Sequence, residues 1–128
     1  MITIQLVSED FSAQELMEHL HKEGLLQGLQ AEIIPVKKEG LFNLEDLLQF
    51  LASDEFGQKV LFEALKETFK FALKKAYNHA FPNPHILIRF LNGQEKKILY
   101  EGKSDASIVK ELLAEINDGE VVQVFFKS

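Results

Sequence analysis

The residues whose types could do chemistry in this chain are its four histidines, a few adjacent acids and a row of lysines. His19 and His21 lie two apart on a run with helical periodicity, so their side chains point about 200° from each other and cannot share a metal ion. They read as part of a solvated helix face. His79 and His85 flank Pro82 and Pro84 and could converge on a ligand, but a histidine at a helix end also meets exposed carbonyls, which is the simpler role. Asp54-Glu55 reads as a helix cap and Asn117-Asp118 as a turn, not as an acid/base carboxylate pair. Lys66, Lys70 and Lys74 form the best basic stripe. Glu63 and Glu67 interrupt it and no aromatic residue is interleaved there, which favours a solvated face over a nucleic-acid interface.

The commonest local signatures of nucleotide, metal and nucleophilic enzymes do not occur: no P-loop, no G-x-G-x-x-G, no H-E-x-x-H and no G-x-S-x-G. With no cysteine there is no thiolate nucleophile, no disulfide framework and no Cys-based zinc site, which suits a reducing compartment. No cofactor and no metal are expected, and the reading leans away from catalysis. The formal charge of −6, from 20 acidic against 14 basic residues, opposes a phosphate-backbone partner. The N-terminus runs into a strand pattern without the basic and apolar regions of a secretory signal, so a cytoplasmic, soluble protein is expected. At 128 residues, 46% apolar and with 11 Phe, residues 1–128 suit one domain with one substantial core.

The element that must organise that core is the stretch from Phe56 to Phe81. Lys59, Glu63, Lys66, Glu67, Lys70 and Lys74 occupy one narrow stripe, and Val60, Leu61, Phe62, Ala64, Leu65, Phe69 and their neighbours spread over roughly 220°. A helix so apolar must be covered on more than one side. It is too charged for a membrane span, which needs about 20 residues almost free of charge.

Around it, Ile2, Ile4 and Leu6 alternate with Thr3 and Gln5 as a first strand. Ser12 and Glu15 form a capping box, with Phe11 and Leu16 as its hydrophobic staple, and start a helix whose apolar stripe is Ala13, Leu16, Met17 and Leu20. Ala31, Ile33, Ile34 and Val36 make a second strand that Pro35 confines to an edge or terminates. Asn43 is expected to cap a short helix with Leu44, Leu47, Leu48 and Leu51 on its core face, so that a helical hairpin leads through Ser53 or Asp54 into the long helix. His85 to Leu91 and Glu95 to Glu101 flank Asn92-Gly93, a hairpin signal. A two-residue loop would oppose Arg89 to Lys96 and a four-residue loop would oppose it to Ile98. Either places Ile86, Ile88, Phe90 and Leu99 on one face and Leu87, Arg89, Leu91, Lys96, Ile98 and Tyr100 on the other. Ser104 or Asp105 caps a helix with Ile108, Val109, Leu112, Leu113 and Ile116 inward, and Val121 to Phe126 is a last strand. The expected class is α+β, in the order βαβ, αα, ββαβ, with a mixed sheet of about five strands and helices mainly on one face.

The strand, Leu-rich helix, second strand, Gly-led leucine pattern (Gly40, Leu41, Leu44, Leu47, Leu48), long helix and NG hairpin together resemble the effector-associated constant component domains of prokaryotic conflict systems. Ile86 to Tyr100 and the helix from Ser107 to Leu113 look like that family's C-terminal half. The resemblance implies a constant partner to varied effector domains and carries no catalytic residues.

Two classes of function are weighed: a non-catalytic interaction or adaptor module, and a small ligand-binding domain or enzyme whose site is assembled from residues distant in sequence. A deep pocket with convergent polar groups would favour the second, and a shallow, partly apolar sheet surface the first. Thr3 and Gln5 on the first strand argue that one sheet face has no second helical layer. On that face Leu87, Arg89, Tyr100, Val121, Gln123 and Phe125 form the candidate interaction surface, for a protein partner or a second copy of the chain, with neither nucleic acid nor membrane expected.

Overall fold

The computed structural model describes residues 1–8, 11–35, 46–78, 85–100, 102–117 and 119–127. Its elements run β1 (Ile2–Ser8), α1 (Ala13–Lys22), β2 (Gln30–Ile34), β3 (Leu47–Ala52), α2 (Glu55–Asn78), β4 (His85–Phe90), β5 (Glu95–Leu99), α3 (Asp105–Ala114) and β6 (Val121–Lys127). The class is α+β. One six-stranded mixed sheet has the order β2-β3-β1-β6-β4-β5, with β1 and β6 parallel at its centre and every other neighbour antiparallel. Because β3 is antiparallel to both β1 and β2, those two run parallel to each other and α1 crosses between them. At the other end α3 links β5 to β6 with β4 inserted. Each end of the sheet is thus a split βαβ unit.

The caps act as their sequences require. The Ser12 hydroxyl accepts from the Glu15 N–H at 3.1 Å while the Glu15 carboxylate accepts from the Ser12 N–H at 3.3 Å. The Asp54 carboxylate accepts from the Gly57 N–H at 2.6 Å and starts α2. The Ser104 hydroxyl accepts from the Ser107 N–H at 3.2 Å and starts α3. The arc of α2 is wide because three surfaces cover it. Leu61, Leu65 and Phe69 are fully buried in the core that lines one face of the sheet, and α1 and α3 flank the helix. The Phe69 ring meets Phe126 at 5.5 Å and Tyr100 at 6.3 Å, both edge-on.

Two expectations are corrected. Leu47 to Ala52 is a strand, not a helix leading into a helical hairpin, and it raises the strand number to six. Leucines at 44, 47, 48 and 51 satisfy helical spacing, but Leu48, Phe50 and Ala52 are buried while Leu47, Gln49 and Leu51 are half-exposed, the period of two that pairing with β1 and β2 imposes. Asn43, the proposed cap, lies outside the described residues.

The second correction is the hairpin register. The loop has three residues: Gly93 donates its N–H to the Phe90 carbonyl at 3.0 Å with φ at +88°, and Phe90 donates to Gln94 at 2.9 Å. The loop is closed by a left-handed glycine, and its odd length opposes Arg89 to Glu95 and Ile86 to Ile98. Ile98 and Tyr100 therefore face the helices and are buried, and Leu99 is on the opposite face at 44% exposure.

Candidate functional site

The face of the sheet turned away from the helices carries a continuous row of polar side chains. Register places Glu32, Gln49, Gln5, Gln123, Arg89 and Glu95 side by side, one from each strand from edge to edge. Neighbours in the row are joined. The Gln123 amide donates to Gln5 at 3.1 Å, the Gln5 amide to Gln49 at 2.9 Å and the Gln49 amide to the Glu32 carboxylate at 3.1 Å. At the other end Arg89 donates to Glu95 at 3.2 Å, and its guanidinium lies 4.8 Å from the centre of the Phe125 ring.

Half-buried apolar residues border this row. On one side are Val7, Phe125 and Leu87, which are cross-strand neighbours, and on the other are Leu51 and Val121, with the buried Thr3 between them. Among the described residues the acids Glu32 and Glu95 on this face are balanced by Arg89 and Lys97. The surface is mixed, shallow and close to neutral, while the chain as a whole carries −6.

Of the surface residues expected from sequence, Leu87, Arg89, Val121, Gln123 and Phe125 lie together on this face. Tyr100 does not. The register change places it under α2, 7% exposed, with its hydroxyl unpartnered among the described residues. Burial, with a smaller contribution from the Asp105 carboxylate, pushes that hydroxyl's pKa well above the ordinary tyrosine value. Sequence reasoning missed Gln49, Leu51 and Glu32 as members of the face. Alternation of Leu48, Phe50 and Ala52 with Leu47, Gln49 and Leu51 is the signal that would have found two of them.

The other chemically suggestive residues are dispersed. His19 is half-buried, not on a solvated face: its Nε2 is 3.0 Å from the Glu67 carboxylate of α2 and its ring lies 4.8 Å from that of Phe71, so it links two helices. His21 is exposed, His85 opens β4, and His79 and Asp118 lie outside the described residues. Glu63 pairs with Lys66 at 3.5 Å, whose ammonium also lies 5.7 Å from the Phe62 ring centre. Among the described residues, no group of three His, Cys, Asp or Glu could hold a metal ion, and no helix is long and apolar enough to cross a membrane.

A cleft of about 520 Å³ lies between the start of α2 and the end of α3, lined by Asp54, Glu55, Gln58, Leu61, Leu113 and Ile116, among others. Its Asp54 carboxylate is already engaged as the α2 cap.

Comparison with protein-family models, with curated proteins and with solved structures found no match.

Proposed function

We propose that the protein is a non-catalytic interaction module that binds a protein partner through the open face of its sheet. The observation that carries this reading is the polar row between two half-buried apolar borders. Its amides are aligned by side-chain hydrogen bonds, so the surface is ordered before a partner arrives and loses little side-chain entropy on binding. Phe125 beneath Arg89 supplies the aromatic and arginine character in which binding energy concentrates. Near-neutral charge on this face and an acidic chain favour a protein over a nucleic acid. The engagement of the cleft's Asp54 as a helix cap supports a binding role over an enzymatic one. The resemblance to constant components of prokaryotic conflict systems suggests the setting: a cytoplasmic adaptor that presents one surface to effector proteins.

The test is co-purification from the native cell with the parent chain and with Leu87→Thr combined with Phe125→Glu. Thr keeps strand preference, and a glutamate at 125 leaves Arg89 a partner, so the variant changes the surface more than the fold. A protein retained by the parent and lost from the folded variant is expected. Identical retention by both would overturn the assignment.

A further inference from the structure

The two edges of the sheet are unequally protected. At one edge β5 is charged and engaged: Glu95 pairs with Arg89, and Lys96 pairs with Glu115 after α3. Such charges discourage further strand pairing. At the other edge β2 reads Gln30, Ala31, Glu32, Ile33 and Ile34, without a lysine, a proline or an ion pair, and it has a strand neighbour on one side only among the described residues. A shallow groove of about 370 Å³ runs along it, lined by Leu29, Gln30, Ala31, Glu32 and Leu51. The hydrogen-bonded row also ends here. Glu32 Oε1 accepts from Gln49, whereas Oε2 has no donor and Gln30 has no side-chain partner among the described residues.

We propose that β2 pairs antiparallel with the β2 of a second copy of this chain, joining two six-stranded sheets into one continuous sheet about a twofold axis at Ala31. An axis perpendicular to the sheet keeps both helical layers on one side and sets each residue against one from the same face. Only a few registers exist, and side-chain chemistry selects among them. Centred on Glu32, two carboxylates stand opposite each other, which is unfavourable. Centred on Ile33, Ala31 meets the partner's Pro35, which has no N–H for the ladder. Centred on Gln30, Ile33 and Ile34 extend past the partner's strand. Centred on Ala31, each Gln30 opposes the partner's Glu32 and can donate to its unpartnered oxygen, while Leu29 opposes the partner's Ile33 on the helical side. Each polar row is then extended by the partner's Gln30.

This interface is separate from the open-face surface, and its test is sedimentation velocity across a concentration series. The parent is expected to dimerise reversibly. Gln30→Glu sets two carboxylate pairs across the axis and should weaken the dimer about tenfold, whereas Gln30→Lys should tighten it and make it salt-sensitive. The chain has no cysteine, so Ala31→Cys introduces a single thiol. Opposed residues have Cα atoms about 4.5–5.5 Å apart, within disulfide reach, so mild oxidation should cross-link Ala31→Cys and spare Gln30→Cys, whose equivalents are offset along the strands. Four results would overturn the proposal. They are a monomer up to about 1 mM, equal responses to the two Gln30 charge variants, cross-linking equal at positions 30 and 31, and loss of the dimer in the folded Leu87→Thr, Phe125→Glu variant.

Discussion

Gln5 of β1 donates its side-chain amide to Gln49 of β3 at 2.9 Å, joining residues 44 apart in sequence on the face of the sheet away from the helices. Its neighbour Ile4 points the other way and is fully buried against Phe50 and Val122. The two positions should respond in opposite ways. Gln5→Val breaks two hydrogen bonds that water can replace on a half-exposed face and keeps strand preference, so a change below about 1 kcal/mol is expected. Ile4→Ala should cost about 2–5 kcal/mol. Urea denaturation of both variants measures the difference, and similar losses would contradict a one-sided sheet.

Tyr100 is predicted to weaken the fold at high pH. Its hydroxyl is buried without a partner among the described residues, and its pKa is raised above the unfolded value near 10 by burial and by Asp105. Above about pH 10 the unfolded chain releases this proton and the native state retains it, so the unfolded state binds fewer protons and stability falls as pH rises. Below the unfolded value this stability is fully present. Tyr100→Phe removes both the unpartnered oxygen and the titration. It should be neutral or stabilising by about 1 kcal/mol at pH 7 and should flatten the alkaline loss seen in the parent's melting temperature.

Helix α2 should dominate stability. Leu65→Ala and Phe69→Ala each remove a fully buried side chain where the sheet and the helices converge, and each should cost about 2–5 kcal/mol, a large part of a typical domain's total. Thermal or chemical unfolding within about 0.5 kcal/mol of the parent for both would place the core elsewhere.

The hairpin register gives a sharper test. Ile98 is buried and Leu99 is exposed, so Ile98→Ala should cost about 2–4 kcal/mol and Leu99→Ala less than about 1. The reversed order would restore an even-numbered loop.

Residues with local signals were legible from sequence: Ser12 with Glu15 marked the start of α1, Ser104 or Asp105 that of α3, where Ser104 is the cap, and the alternation in Val121 to Phe126 set both faces of β6. Two misreadings came from ambiguity that only tertiary pairing resolves. Leu44, Leu47, Leu48 and Leu51 fit a helix and a buried strand alike, and pairing with β1 decided for the strand. Asn92-Gly93 marked the turn but not its length, and one added loop residue moved Tyr100 from the predicted surface into the core. Gln5 and Gln123 were visible as polar positions in apolar strands. Their junction with Gln49 and Glu32 depends on strand order and register, which a single sequence does not contain.

The most direct measurement is the unfolding transition of the Leu87→Thr, Phe125→Glu variant. An open, solvated sheet face predicts cooperative unfolding with a loss of no more than about 2 kcal/mol, because the new carboxylate stays in water beside Arg89. A chain that no longer folds would contradict it, since only a face buried under another layer would make a single carboxylate so costly.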